Sequence, residues 1–316
     1  VTNTGTYSVT YNATDAVGNA AIPVSRTVIV EDWSPILSTV GPAPFNIDQG
    51  KPLEDPGAEA VSMPFNPVLY YPFNGNALDH SSKGGAQNGT LRGNPGFSGD
   101  DHHEGLGLSL ELDGTGDYVD AVGYKGIIGK GARSVSMWIK GEPQFKADGA
   151  TPNAAELVHW GDGRTATKRF TLRVNSDTAN RNEFRVDVNG AYIYGSKNIV
   201  DNKWHHLVVV HPGDSALQDT LLYVDGQPEQ LTGGGDQIAT VLDTLSYDNF
   251  RVGGTGTSAF TGLIDDLILF DRALAPEQVA ALHSAALHEV TSDSTGVNPD
   301  VPGTYTIDYS ATNEYG

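Results

Sequence analysis

The sequence predicts an all-β chain built around a two-sheet antiparallel sandwich of jelly-roll type. Two observations carry that prediction. First, short runs of alternating polarity recur from Val68 onward (VLYYPF, LSLELD, YVDAV, SVSMWIK, ELVHWG, FTLRVN, EFRVDVNGAYIYG, WHHLVVVH, TLLYVDGQ, FRVGG and LIDDLILF), the pattern of strands with one face buried. Second, these runs are separated by turn dipeptides, Asn-Gly at 74–75 and 189–190 and Asp-Gly at 113–114 and 225–226, in a chain with 38 Gly and 17 Pro; such residues supply the backbone angles of tight turns. More than ten short strands at this spacing suit two packed sheets. One segment reads as a helix. Pro276 suits its first turn and Glu277 its positive end, while Val279, Leu282 and Ala286 share a face; its expected task is to cap an open end of the sandwich core.

The ends of the chain repeat each other. Residues 1–18 (VTNTGTYSVTYNATDAVG) and 299–316 (PDVPGTYTIDYSATNEYG) align without gaps and share seven residues, among them Gly5/Gly303, Tyr7/Tyr305, Tyr11/Tyr309 and Gly18/Gly316. Each copy enters a strand from a turn, and after the first copy Val24–Val30 supplies a partner strand. The run GTYSVTYNATDAVGNAAIPVSRTVIV resembles the closing hairpin of bacterial immunoglobulin-like surface repeats. SPILSTVGPAPFNIDQGKPLEDPGAEA (34–60) resembles the beginning of the next repeat, yet its second half arrives only at 288–316. The expected organisation is therefore the closing strands of one Ig-like domain at 1–33, a second Ig-like domain split into 34–60 plus 288–316, and an inserted jelly roll at 61–287. Insertions survive at loop tips because lengthening a loop costs only a logarithmic entropy term. Val1 opens in mid-strand, which reads as an excerpt of a longer protein. Were the chain instead a free subunit, residues 19–30 of one copy could complete the sandwich opened by 288–316 of the next, a head-to-tail partnership of copies.

Within the insert, VLYYPFNGNALDHSSKGGAQNGT, LELDGTGDYVDA, SVSMWIKG, DNKWHHLVVVH, LLYVDGQ and AFTGLIDDLILFDRALAPEQVAAL follow in that order. They resemble the successive motifs of the laminin-G-like, concanavalin A-like jelly roll over about residues 68–286. The resemblance implies the fold, an extracellular setting, glycan or protein ligands, and in many members a calcium ion. The loop at 79–90 departs from the family by lacking its regular Gly-Asn-Gly.

Composition narrows the function. Acids outnumber bases 39 to 19, for a formal charge of −20, so nucleic acid and anionic membranes are repelled, whereas oxygen-seeking Ca²⁺ is compatible. The chain has no Cys and no apolar run of membrane-spanning length, so no membrane insertion is expected. A structural Ca²⁺ site is expected from Asn74, Asn76 and Asp79 near the start of the jelly roll together with Asp265 and Asp266 near its end, because the first and last strands of a jelly roll lie side by side. The alternative is that Asp79 caps a turn and one of the aspartates accepts backbone N–H groups. His102–His103 in SGDDHHEG could hold zinc but has no third ligand at suitable spacing, and His205–His206 diverge on a strand, so they are expected to serve packing and hydrogen bonding.

Catalysis is not expected. Glycosidases on this sandwich need paired carboxylates on one strand face. Glu111-Leu112-Asp113 begins such a pattern, but Gly116 stands where the second Glu is required. For glycan binding, Tyr192 and Tyr194 alternate on one face and Trp160 precedes the loop GDGRTATKR. With Arg164 or Lys168 these could line a surface on which sugar rings stack, or the tyrosines simply cover the sandwich. Trp138 and Trp204 are expected in the core. The sequence thus points to a non-catalytic adhesion or structural module of a large, repetitive, extracellular bacterial surface protein, with a glycan or a cell-surface or matrix protein as partner. A lectin-like carbohydrate-binding module is the alternative, and a glycoside hydrolase the more distant one.

Overall fold

The computed structural model describes residues 5–14, 16–30, 35–41, 46–62, 67–81, 87–101, 107–145, 153–176, 182–284 and 290–311. His102 and His103 lie outside them.

Strand β1 (Gly5–Tyr11) pairs antiparallel with β2 (Val24–Val30), from Gly5 opposite Val30 to Tyr11 opposite Val24, as the alternating apolar residues predict. Strands β3 (Pro35–Thr39) and β4 (Ala58–Ser62) form a second hairpin.

The jelly roll begins at β5 (Leu69–Tyr71) and runs through β6 (Thr90–Arg92), β7 (Gly96–Ser98), β8 (Ser109–Asp113), β9 (Tyr118–Ala121) and β10 (Arg133–Gly141). It continues through β11 (Glu156–Gly161), β12 (Arg169–Ser176), β13 (Asn182–Asp187), β14 (Tyr192–Asn198) and β15 (His205–His211). Then come β16 (Leu221–Val224), β17 (Gln227–Pro228), β18 (Thr232–Gly234), β19 (Asp248–Val252) and β20 (Thr261–Phe270). Helix α1 (Pro276–His283) and the hairpin of β21 (Val290–Asp293) and β22 (Asp308–Ala311) close the described chain.

Two eight-stranded antiparallel sheets result. The first runs β17-β16-β15-β10-β20-β8-β7, with β5 also on β20; the second runs β18-β14-β13-β12-β11-β19-β9-β6. Between them lies one core, including Leu110, Val135, Met137, Ile139, Trp160, Phe170, Phe184, Val209, Phe250 and Leu269. The alternation read from the sequence places these side chains inward and their neighbours outward. The Asn-Gly and Asp-Gly turns do the work expected of them: Asn189 and Gly190 both take positive φ (55° and 94°), as do Asp225 and Gly226 (52° and 71°), the backbone a tight hairpin requires.

Helix α1 does not cap an open end of that core. Val279 and Leu282 instead pack on the outer face of the first sheet, against Tyr70, Val208, Val210, Tyr223, Ile268 and Phe270. The outward positions of β5, β15, β16 and β20 are themselves apolar, so this face needs a cover, and the helix supplies it. Trp138 and Trp204 are also outside the main core, both half-buried. Trp138 stacks on His283 of α1 (22° between rings) and packs on His206, and the Trp204 indole donates to Asp100. The two residues alternate in phase with the outer positions of their strands, a parity that their apolar character obscures.

First and last strands do lie side by side, Tyr71 opposite Leu267 and Leu69 opposite Leu269. The Asp265–Asp266 pair falls where β20 leaves β8 and joins β5. There the pairing with β10 shifts register between Ser136 and Trp138, and Asp266 takes φ +42°: the pair is a β-bulge.

Candidate functional site

The second sheet turns an unusual surface outward. Its inward positions are apolar, but on the outward ones the polar side chains form rows across the strands. Tyr192 (β14), Asp187 (β13), Thr171 (β12), His159 (β11), Arg251 (β19) and Asp120 (β9) stand opposite one another in sequence. A second row runs Tyr194, Arg185, Arg173 and Glu156. Cross-strand neighbours on one face lie about 5 Å apart, close enough for such side chains to bond.

They do so in a continuous lattice. The Asp187 carboxylate accepts from Arg169 on one oxygen and from Arg185 (2.8 Å) on the other, and also takes the backbone N–H of Asn189 (3.0 Å). Glu156 accepts from Arg173 at 2.5 Å. His159 lies between the Thr171 hydroxyl (2.9 Å) and Asp248 (3.1 Å). Because a carboxylate only accepts, Nε2 carries the proton to Asp248 and Nδ1 accepts from the threonine. Burial would raise the Asp187 carboxyl, but Arg169, the Asn189 N–H and Arg173 outweigh it and hold Asp187 below the usual range. Burial likewise lowers His159, with Arg251 adding to it against Glu156 and Asp248, so the ring is neutral at pH 7. These groups are well shielded for a sheet face, Glu156, His159 and Asp187 being 7%, 4% and 7% exposed. Register shifts at Glu156/Val158, His159/Gly161 and Glu183/Arg185 bend the strands that carry them.

Tyr192 and Tyr194 stand toward one edge of this surface, on one face as their alternation predicts, and stacked (6.2 Å between centroids, 20°). The Arg185 guanidinium lies over the Tyr192 ring at 4.2 Å, a contact that holds the ring in place. Arg164 lies over Tyr247 at 3.5 Å and bonds Asp162. Its loop meets the turn before Tyr192, where the Asn189 side chain donates to the Gly163 carbonyl, but the Arg164 side chain itself is directed to Tyr247 and Asp162. Lys168 in the same loop pairs with Asp243 at 2.8 Å. Trp160 is a correction. It is fully buried, packed on Phe170 and Phe250 with its indole N–H on the Ile127 carbonyl, and so offers no face to a ligand; its neighbour His159 is the outward residue.

The sequence reading missed Arg169, Arg173, Arg185, Arg251, His159 and Asp187. A signal was present: in RFTLRVN and EFRVD every second residue is polar, and arginine recurs there although the chain is strongly acidic.

The five residues expected to hold calcium are spent on other bonds. Asp79 takes the backbone N–H groups of Tyr70 (3.1 Å), Ser81 (2.9 Å) and Gln87 (2.9 Å). The Asn74 side chain spans from Ser38 to the Leu108 N–H, and Asn76 accepts from the Leu78 N–H. Asp266 accepts from the Tyr70 hydroxyl (2.7 Å), and Asp265 from the Asp266 N–H (2.9 Å). Among the described residues no group of three or more His, Asp or Glu is placed to hold a metal, and the oxygens that a calcium ion would need here already accept hydrogen bonds within the protein. Glu111 and Asp113 lie exposed on β8 of the first sheet, away from the polar lattice.

Among the described residues no helix is long and apolar enough to cross a membrane. Comparison with curated proteins returns no match. Among solved structures, domain 4 of AbnA, a GH43 extracellular arabinanase from Geobacillus stearothermophilus, in complex with arabinotriose, is similar at TM-score 0.50 and 19% identity, covering 69% of this chain and 98% of that one. The binding domains of Paraclostridial Mosquitocidal Protein 1 (TM-score 0.46, 12% identity) and of botulinum neurotoxin serotype D (0.41, 15%) each cover 69% of this chain, which spans 52% and 51% of theirs. Residues 113–280, more than half of the chain and all but the first strands of the sandwich, match the Laminin_G_3 family, and with that match the chain belongs to the concanavalin A-like lectin/glucanases superfamily.

Proposed function

We propose that this chain is a non-catalytic glycan-binding module that acts in adhesion outside the cell, and that the outer face of its second sheet is the binding surface. The observation that carries the reading is the shielded polar lattice flanked by the stacked Tyr192–Tyr194 pair. Sugars present hydroxyls to hydrogen-bonding groups and C–H faces to aromatic rings, and this surface offers both on rigid strands. Its bonds are already made within the protein, so little side-chain freedom is lost on binding. The AbnA domain solved with arabinotriose shares the fold and lends support by analogy alone. The absence of catalysis belongs to the same proposal: against burial, Arg169 and the Asn189 N–H hold the Asp187 carboxyl below its usual range, the opposite of the raised carboxylic acid that glycoside hydrolysis requires, and Glu156 is paired with Arg173.

The flanking segments belong, in this reading, to Ig-like sandwiches that space the jelly roll, the second one split around it. Residues on either side of the insert meet in the manner a split domain requires: the Gly50 N–H donates to the Pro299 carbonyl (3.0 Å), Gln49 to the Asp300 carbonyl (2.8 Å), and the Tyr309 hydroxyl to Asp55.

Affinity electrophoresis or calorimetry against soluble polysaccharides tests the binding surface. We expect saturable binding to at least one of them, weakened about fivefold by Tyr192→Ala and again by Tyr194→Ala, from the ~1 kcal/mol typical of one aromatic contact. Full affinity in the double variant would remove the second sheet from consideration.

A further inference from the structure

We infer that the glycan taken by this face is anionic, with a carboxylate or sulfate group seated on Arg251; the inference rests on the glycan-binding reading above. Arg251 is the one outward residue of the central row left without a protein partner. It sits on β19 between two inward residues, Phe250 and Val252, both fully buried, and opposite His159 on one side and Asp120 on the other. Among the described residues its guanidinium makes no hydrogen bond or ion pair, and its Nε is buried without an acceptor. The anions around it are engaged elsewhere. Asp120 accepts from Asn249 (2.9 Å) and pairs with Arg92 (3.6 Å), Asp248 takes His159 (3.1 Å), Glu156 takes Arg173, and Asp187 takes Arg169 and Arg185. His159, the nearest titratable base, is held neutral.

The Nε–H of Arg251 is costly in this state, because it is buried without a protein acceptor. A planar oxygen pair matches the fork with two parallel bonds. Charge distribution points the same way. Four of the ten arginines in a chain of net charge −20 stand on this one face (Arg169, Arg173, Arg185 and Arg251), three of them paired within it and one not. A general surface of this protein repels a polyanion; on this face the four arginines offset Asp120, Glu156, Asp187 and Asp248, so that repulsion is removed. Carboxylate and sulfate share the required chemistry, and the experiment separates them.

The full chain is titrated with polygalacturonate, with its methyl ester, with dextran sulfate, and with neutral arabinan and dextran, alongside the Arg251→Gln and Arg251→Lys variants. The expected result is binding to polygalacturonate or dextran sulfate, lost at least about tenfold in Arg251→Gln. Arg251→Lys, which keeps the charge but not the fork, should fall between. Loss of binding on methyl esterification marks the carboxylate, and preference for dextran sulfate over dextran marks the sulfate. Thermal unfolding of the variants at the wild-type midpoint establishes that they fold. Neutral polymers bound as tightly as acidic ones, or acidic binding unchanged in Arg251→Gln, would overturn the anionic inference and leave the glycan-binding face standing. Failure of every polysaccharide to bind would overturn both.

Discussion

His211 shows how a single buried group sets the response of the fold to pH. Its ring is fully buried, bonded through Nδ1 to the Thr220 hydroxyl (2.9 Å), and burial followed by the nearby Arg133 lowers its pKa to about 4. In the unfolded chain a histidine titrates near 6.5. The native state therefore binds fewer protons between those values, and stability present above pH 6.5 is lost as pH falls toward 4. His159 and His80 are lowered in the same direction, by burial first. His205 runs opposite. Its bonds to Asp225 and Asp201 raise it, so its contribution is complete below about 6.5 and fades as pH rises through its raised value. Urea unfolding should thus show a midpoint that drops between pH 6.5 and 4. His211→Gln should make that dependence shallower by up to roughly 3 kcal/mol; a pH profile identical to wild type would contradict this account. At this scale the sequence was only partly legible. Tyr192 and Tyr194 declared themselves because they alternate directly after an Asn-Gly turn. His159 and Trp160 did not, since every residue from Glu156 to Gly161 is buried and no polarity contrast marks which is inward. Arg251 gained its meaning only from neighbours on strands far away in sequence.

Among the elements, the loop from Asp79 to Gln87 separates two ways of holding a chain segment. The sequence supplied an oxygen-rich stretch and an acidic pair, and the topology placed them near each other on β5 and β20. Sequence left open whether a cation or backbone N–H groups would take those oxygens. Asp79 closes the loop by binding the N–H of Ser81 and Gln87 and ties it to β5 through Tyr70, and Tyr70 in turn bonds Asp266 on the bulge of β20. A carboxylate accepting three backbone N–H bonds needs no cation to be stable in place. Accordingly, a chelator such as EDTA should leave the thermal midpoint unchanged, while Asp79→Ala, which strands three N–H donors, should lower stability by about 2 kcal/mol. A large midpoint loss on chelation, reversed by Ca²⁺, would return the loop to the metal-bound reading. Helix α1 teaches a related lesson. Its existence and start were readable from Pro276 and Glu277, but the surface it covers was not, because the apolar residues beneath it are the outward positions of four strands and read from sequence as more core.

For the whole molecule, the question is how far the outer hairpins and the sandwich depend on one another. The main core draws only on residues from the jelly roll. Beyond the chain itself, the hairpin of β3 and β4 touches that sandwich through a handful of polar contacts, Asn74 to Ser38, the Gly41 N–H to the Asn74 carbonyl, and His80 to the Leu37 carbonyl. Residues 39–40, 46–57 and 297–309 meet instead around a cavity of about 630 Å³, where Asp55 and Tyr309 bond. Among the described side chains of the β1–β2 hairpin, Val9, Tyr11 and Val24 are exposed, at 41%, 53% and 64%, and a two-stranded hairpin is marginal by itself. A unit with its own core should unfold as a unit. Residues 67–284 produced alone should therefore keep the main calorimetric transition of the full chain within a few degrees, together with its polysaccharide affinity. The full chain should add a second, weaker transition from the outer segments, and Tyr309→Phe should lower that one alone, because the bond it removes lies wholly outside the jelly roll. A single transition in the full chain, shifted by Tyr309→Phe, would mean instead that the split outer segments brace the sandwich and that the two fold together.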